Sequence, residues 1–224
     1  MPGAPPYPVV LRVEGRPCLV VGGGPVAARK VADLFECGAE VTVVAPDIDR
    51  AIDALAAAAG CDGRVLHLER RPYRDGEAAG YRLVVTATGI PEVDRRAAAD
   101  AESAGIWVNS ADDADRCTFF LPSVHRQGPV SVSVSTGGAS PALAAWLRRR
   151  IGETLGPHLG DLAELLDEGR ASLRAAGRPT SAVDWTALLD GDLPQLLDQG
   201  RVEEARRRID AAVELAIAGA GETP

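Results

Sequence analysis

The apolar run Leu19-Val20-Val21 breaks at Gly22-Gly23-Gly24 and passes into Pro25-Val26-Ala27-Ala28-Arg29-Lys30, where apolar positions recur at helical spacing. Ala27, Val31, Leu34 and Phe35 fall on one helical face, and Gly38 stands where a C-cap belongs. Val41-Thr42-Val43-Val44 reads as a second buried strand, followed by an Ala-rich helix over 51–59 and a strand over 64–68. Arg82-Leu83-Val84-Val85-Thr86-Ala87 is a further buried strand ending in Thr88-Gly89. Pro91 takes the first position of a helix running toward Gly105, and Ile106-Trp107-Val108-Asn109 is the next strand. Strands alternating with helices predict an α/β fold, a Rossmann-like doubly wound parallel sheet that binds ligands at the strands' carboxyl ends.

The pattern changes after Asp112. Phe119-Phe120-Leu121-Pro122-Ser123 and Val130-Ser131-Val132-Ser133-Val134-Ser135 read as extended segments, the second alternating strictly with period two. Such a strand pairs with another subunit or extends its own sheet. Ser140 is an N-cap and Pro141 the first residue of a helix through Arg150. From Gly156 the chain reads as interrupted helix, with Leu159, Leu162, Leu165 and Leu166 on one stripe. A polar break over 177–181 separates this from helices over 185–189 and 202–217, and residues 219–224 are expected to be disordered. Three parts result: a dinucleotide-binding domain over 1–112, a dimerisation and substrate segment over 113–150, and a small helical C-terminal region over 151–224.

Gly22-x-Gly24-x-x-Ala27 stands between a strand and a helix, the context a dinucleotide fingerprint requires. Gly22 permits the tight turn, Gly24 lets backbone approach a pyrophosphate, and Ala27 keeps the helix close to the sheet. Pro25 and Val26 open the helix whose free N–H groups face the phosphates. An acid often ends the second strand to hold ribose hydroxyls, and here Ala45-Pro46-Asp47 stands there instead. Asp47, beside Pro46, takes that role one or two positions late, or backbone groups do. No Arg follows immediately to meet a 2′-phosphate, so NAD is favoured over NADP, with Arg50 the nearest competing signal. Thr88 and Asn109 fall at carboxyl ends of strands.

Composition narrows the function classes. A chain of 224 residues, 46% hydrophobic and 25% charged, suits a globular domain with an appendage. No apolar run has bilayer-spanning length, and Met1-Pro2-Gly3-Ala4-Pro5-Pro6 lacks a signal peptide's basic start, so a cytoplasmic location is expected. The four cysteines form no C-x-x-C pair and the three histidines are scattered, so no metal site is expected. Cys18 and Cys37 lie in buried-looking patterns, as reduced structural thiols. A net charge of −8 argues against nucleic-acid binding and requires any polyanionic ligand to meet a locally basic site.

Two further segments stand together: Val108-Asn109-Ser110-Ala111-Asp112-Asp113, continuing to Cys117-Thr118-Phe119-Phe120-Leu121-Pro122-Ser123, and Ser135-Thr136-Gly137-Gly138-Ala139-Ser140-Pro141-Ala142-Leu143-Ala144. With Tyr7-Pro8-Val9-Val10-Leu11 and the glycine loop, they resemble the precorrin-2 dehydrogenase family over residues 7–151, in order and with family-like spacing. That family includes the N-terminal module of sirohaem synthase and free-standing, sometimes bifunctional, dehydrogenase–ferrochelatase relatives. With no methyltransferase domain following, this chain looks like the stand-alone form. The resemblance implies NAD-dependent oxidation of precorrin-2 to sirohydrochlorin, ferrous iron insertion in some relatives, and a homodimer. It puts the family's key aspartate on Asp112. The serine phosphorylated in some members falls on Thr136, which keeps the hydroxyl.

Asp112, just beyond a strand's carboxyl end, suits a general base or a substrate-orienting group. Asp113 and Asp115 read as solvated turn residues. The basic character that a polycarboxylate tetrapyrrole needs is offered by Arg116, His125, Arg126 and the run Arg148-Arg149-Arg150, with Asn109 beside Asp112. The Thr136-Gly137-Gly138 turn and Ser140 lead into helix N–H groups able to bind a carboxylate. The arginine run reads equally as a solvated helix end. The competing reading is an NAD-binding regulatory Rossmann protein without tetrapyrrole chemistry. A short-chain dehydrogenase is disfavoured, because the Tyr-x-x-x-Lys pair is absent.

Overall fold

The computed structural model describes residues 4–219. The chain divides into two compact units, one ending at Leu121 and the other beginning at Pro122. In the first unit β1 (Pro17–Val21), α1 (Pro25–Glu36), β2 (Glu40–Val44), α2 (Arg50–Asp62), β3 (Leu66–Glu69), β4 (Leu83–Thr86), α3 (Pro91–Ser103) and β5 (Trp107–Ser110) follow one another. The strands form one parallel sheet in the order β3-β2-β1-β4-β5. The chain thus moves outward from β1 in one direction, then crosses to the other side. The order reverses between β1 and β4, where Val21 pairs with Thr86, and the carboxyl ends at this switch point are where such sheets bind ligands.

Alternation along the strands sends side chains into two cores. Cys18, Val20, Val41, Val43, Leu83 and Val85 pack with Val31 of α1 and Ile52 of α2. Leu19, Val21, Val44, Val84 and Val108 pack with Ala97, Ala98 and Ala101 of α3, whose small side chains bring that helix close to the sheet. Strands buried on both faces carry near-continuous apolar runs, which is why the sequence reveals them. Gly38, at φ 76° with its N–H on the Phe35 carbonyl, is the left-handed residue just after the C-cap of α1, one position beyond where the sequence placed the cap. Cys18 is buried, and burial pushes its thiol up to about 11. Cys37 is exposed, contrary to expectation, because it is the C-cap of α1 and turns away from the core.

Residues 113–121 belong to the first unit rather than to a separate segment beginning at 113. They fold back along the edge strand β5. Thr118 N–H donates to the Val108 carbonyl at 2.9 Å, and Val108 N–H donates to Thr118 Oγ1 at 2.7 Å. Asn109 Nδ2 reaches the Phe119 carbonyl at 3.1 Å. These bonds lie along the edge strand, and the 119–121 stretch, expected to be extended, is not a strand.

The second unit begins with the antiparallel hairpin β6 (Ser123–Gln127) and β7 (Val130–Val134), turning at Gly128 with φ 52°. Then come α4 (Pro141–Thr154), α5 (Leu159–Ala175), α6 (Trp185–Leu189), α7 (Leu193–Asp198) and α8 (Val202–Ala218). Leu162, Leu165 and Leu173 of α5, Leu193, Leu196 and Leu197 of α7, and Ile209 and Val213 of α8 make its core. Gly169 lets α5 and α8 approach: a Cβ there would lie 2.8 Å from Ile209 Cγ2. Gln127 ties the hairpin to the helices, donating to the Gly156 carbonyl at 2.6 Å and accepting the Leu159 N–H at 3.0 Å. The period-two strand therefore pairs within its own chain. The expected disorder at 219–224 falls outside the described residues except for Gly219, the C-cap of α8.

Candidate functional site

Each glycine of the 22–24 loop serves a different purpose. Gly22 has φ 127°, and a Cβ there would overlap the Ala87 carbonyl, so only glycine fits between β1 and the end of β4. At Gly23 a Cβ would overlap the Asp47 carbonyl, which locks the loop against the turn after β2, and the Gly23 carbonyl accepts the Asp49 N–H at 2.8 Å. Gly24, the N-cap of α1, faces open space: a Cβ there would meet nothing within 4 Å. Pro25 follows at the first helical position, so the N–H groups of Val26 and Ala27 stand free at the helix start, as at any helix N-terminus. Open space, a glycine and free N–H groups at a helix start fit a pyrophosphate. The fingerprint names the first and third glycines, so the sequence alone does not single out Gly23.

Pro46 and Asp47 are exposed on the turn between β2 and α2, and Asp49 caps α2 by accepting the Ala51 N–H at 2.8 Å. Arg50 is the first residue of α2. Thr88 lies just past β4, with its hydroxyl committed to the protein: it reaches Asp94 Oδ1 at 2.8 Å and accepts the Ile90 N–H at 3.0 Å. Asp94, in the first turn of α3, is buried at 7% exposure and escapes sequence reading, where it looks like an ordinary dipole-complementing acid. Burial pushes its carboxyl above the usual range, the Thr88 hydrogen bonds oppose that, and the charge of Asp112 reinforces it.

Asp112 is exposed in the turn after β5, where the Ala111 N–H is held by the Thr86 carbonyl at 2.9 Å. Beside it Asp113 caps a single 3-10 turn over Ala114–Arg116. Arg116 is therefore engaged with Asp113, and Asn109 is buried with its amide on Phe119. Cys117 Sγ accepts the Ser110 N–H at 3.2 Å, and burial raises its thiol, so it is a structural thiol at the root of this turn.

The second unit holds the remaining sequence-predicted residues. Thr136 Oγ1 accepts the Ser140 N–H at 3.0 Å and donates to the Ser140 carbonyl at 3.1 Å, closing a small ring through Gly137 (φ 61°) and Gly138 (φ 85°). Ser140 Oγ caps α4 by accepting the Leu143 N–H at 3.2 Å. His125 stands on β6 with Nε2 at 3.0 Å from Gln127 Nε2, and its ring packs over Gly152 of α4. Arg150 lies over the Trp146 ring at 5.9 Å. A recess of about 490 Å³ in this unit is lined by Glu164, Asp167 and Glu168, a poor match for a carboxylated ligand. Among the described residues no three His, Cys, Asp or Glu converge as a metal-binding group, and no helix is long and apolar enough to cross a membrane.

Residues 9–123 match the family described as "Putative NAD(P)-binding". The chain belongs to this NAD(P)-binding family. Residues 127–154 match a second family, the central part of sirohaem biosynthesis proteins. The sirohaem synthase of Methylococcus capsulatus is 37% identical over 211 residues, covering 93% of this chain and 44% of that protein. The sirohaem synthase of Neisseria meningitidis serogroup B is 34% identical over 230 residues, covering 96% of this chain and 46% of that protein. The chain thus spans less than half the length of these relatives. Among solved structures, SirC, precorrin-2 dehydrogenase, superimposes with a TM-score of 0.66 at 24% identity, covering 93% of this chain and 98% of that one. That likeness supports the fold: a parallel Rossmann-like sheet with a helical C-terminal region. In this NAD(P)-binding family member the glycine loop sits where the sequence placed it.

Proposed function

We propose that the chain catalyses the NAD-dependent oxidation of precorrin-2 to sirohydrochlorin. The observation that carries this reading is one chain joining a dinucleotide crevice at Gly22–Gly24 to a segment of sirohaem-biosynthesis type over 127–154. NAD supplies a hydride acceptor when bound. Gly22, Gly24, Pro25 and Val26 hold its pyrophosphate; Asp47, with Pro46, stands at the ribose. Thr88 shapes the wall at the end of β4. The oxidation releases one hydride and one proton from the substrate, and the Asp112 carboxylate takes the proton.

Anion recognition falls in the first unit to Arg116 beside Asp112, and in the second unit to the Thr136-Gly137-Gly138-Ala139-Ser140 turn and to His125. Asn109 fixes the strand end from which Asp112 projects. In an acidic chain a polycarboxylate depends on such local donors rather than on the overall charge. Insertion of ferrous iron into the product is a second reaction open to the same carboxylate, with iron as substrate. A homodimer in the cytoplasm completes the reading. Leu143 and Trp146, 47% and 48% exposed on α4, offer apolar contact to a second copy.

The test is an anaerobic assay with precorrin-2 and NAD, followed by ferrous iron or cobalt. Formation of NADH with sirohydrochlorin supports the dehydrogenase, and metal incorporation adds the chelatase. NAD binding with no turnover of tetrapyrrole leaves the regulatory alternative standing.

A further inference from the structure

Asp94 is a carboxylate with 7% exposure, and among the described residues it has no Lys or Arg partner. Such a group is costly to bury and needs compensation from hydrogen-bond donors. The donors come from the turn after β4, the Gly89 N–H among them. Thr88 N–H lies 3.1 Å from Asp94 Oδ1 and the Thr88 hydroxyl 2.8 Å from the same oxygen. The hydroxyl in turn accepts the Ile90 N–H at 3.0 Å, so the turn through Gly89 (φ 68°) is fastened at both ends. The N-cap residue of α3, Ile90, provides no side-chain cap, and Asp94 in the first turn holds the approach to the helix instead.

The turn held in this way is the surface on which the glycine loop rests. A Cβ on Gly22 would overlap the Ala87 carbonyl and lie 3.0 Å from Thr88 N, so the Gly22 backbone is pressed directly against the exit of β4. The same Thr88 N is the one bonded to Asp94. A displacement of Thr88 is therefore a displacement of the wall behind Gly22.

We propose that Asp94 is a positioning residue for the dinucleotide site: its buried carboxylate holds the Thr88-Gly89-Ile90 turn against Gly22 and thereby sets the shape of the crevice at Gly22–Gly24. The inference rests on the NAD reading of that crevice. Asp94 acts through Thr88 and touches no cofactor.

The full chain is compared as wild type, Asp94→Ala, Asp94→Asn and Thr88→Ala. NAD is titrated by calorimetry, and amide hydrogen exchange is followed in the NAD-free protein. Asp94→Ala leaves the Thr88 N–H and hydroxyl without their buried acceptor, and NAD affinity is expected to fall about tenfold. Exchange should rise at 86–90 and also at 22–24. Asp94→Asn keeps a carbonyl oxygen for Thr88 and should stay within about threefold of wild type on the same reasoning. Thr88→Ala, losing the hydroxyl's bond while the Thr88 and Gly89 N–H donors remain, should fall between them. If Asp94→Ala does not fold, the ranking of Asp94→Asn above Thr88→Ala carries the test.

Unchanged NAD affinity in a folded Asp94→Ala variant overturns the proposal. So does faster exchange confined to 88–94, or an Asp94→Asn variant as weak as Asp94→Ala, which would assign the effect to charge. A wild-type chain that binds no NAD overturns the cofactor reading and the role of Asp94 with it. That result is distinct from a wild type and an Asp94→Ala variant that bind equally well.

Discussion

Asp113 and Arg116 close an ion pair of 3.1 Å across a single 3-10 turn, and the same Asp113 carboxylate accepts the Asp115 N–H at 3.2 Å. Asp113, still half exposed, is the turn residue the sequence suggested and caps that turn besides. Among the described residues its neighbour Asp112 has no hydrogen bond or ion pair of its own. Two adjacent carboxylates therefore differ in employment: one builds the turn, and the other is presented by it.

Asp112→Asn should keep the fold and NAD affinity while lowering precorrin-2 oxidation by about 10²–10⁴-fold, the usual effect of losing a general base. Asp115→Asn is the matched control, because its side chain has no structural task in the turn. Asp113 is unsuitable as a control: Asp113→Ala removes a cap and should cost about 1 kcal/mol of stability. Anaerobic turnover, read beside calorimetric NAD affinity, decides. A loss in Asp115→Asn equal to that in Asp112→Asn would show that the wrong carboxylate has been chosen.

The glycines separate folding from binding. Gly24→Val places its side chain in open space at the start of α1, so thermal stability should change little while NAD binding is lost. Gly22→Val must overlap the Ala87 carbonyl at a positive φ, so it should destabilise the protein as well. Gly23→Ala should behave like Gly22→Val because of the Asp47 carbonyl. Thermal unfolding and NAD titration of the three variants check the ranking. Equal NAD affinity in wild type and Gly24→Val would remove the loop from the cofactor site.

How far the fold is legible in the sequence depends on whether burial or hydrogen bonding sets each feature. The parallel strands and the glycine loop are legible because strands buried on both faces are apolar throughout, and a tight turn demands glycine. Strand β6 is not, since Val124-His125-Arg126 looks polar and its pairing with β7 is tertiary. Helix α7 is only six residues long, with Pro194 at its start, and is held by burial of Leu193, Leu196 and Leu197 rather than by propensity. Within the candidate site, Asp112 and the glycines are visible as motif positions. Asp94 is hidden, because its role depends on Thr88 folding back onto it.

Thr86 Oγ1 is fully buried beside the switch point and has no partner among the described residues. A desolvated hydroxyl without a bond is a cost that valine would not carry. Thr86→Val should therefore stabilise the protein by about 1 kcal/mol. At this chain length that is a rise of about 2–4 °C in melting temperature. A clear fall in melting temperature would mean the hydroxyl has a bound partner in solution.

The proposed dimer has its own test. Leu143→Lys with Trp146→Lys puts charge on the exposed apolar side of α4, away from the buried Ala144. Light scattering at micromolar concentration should give twice the chain mass for wild type and the single chain mass for the double variant. A monomeric wild type would remove the dimer from the reading.

Asp94 links the crevice to pH. Burial raises its carboxyl above the ordinary Asp value in the folded chain, against the opposing pull of the Thr88 bonds. Between the unfolded value, about 4, and the raised folded value, the native state holds more proton than the unfolded state. Stability from this group therefore increases as pH falls through that window and is lost as pH rises out of it. Asp94→Asn has no such proton. The difference in melting temperature, wild type minus Asp94→Asn, should then grow in favour of wild type as pH is lowered from 7 toward 4. Other titrating groups are common to both chains and cancel in the difference. A difference that stays constant, or moves the other way, would mean that the Thr88 hydrogen bonds outweigh burial and hold Asp94 as a stable carboxylate.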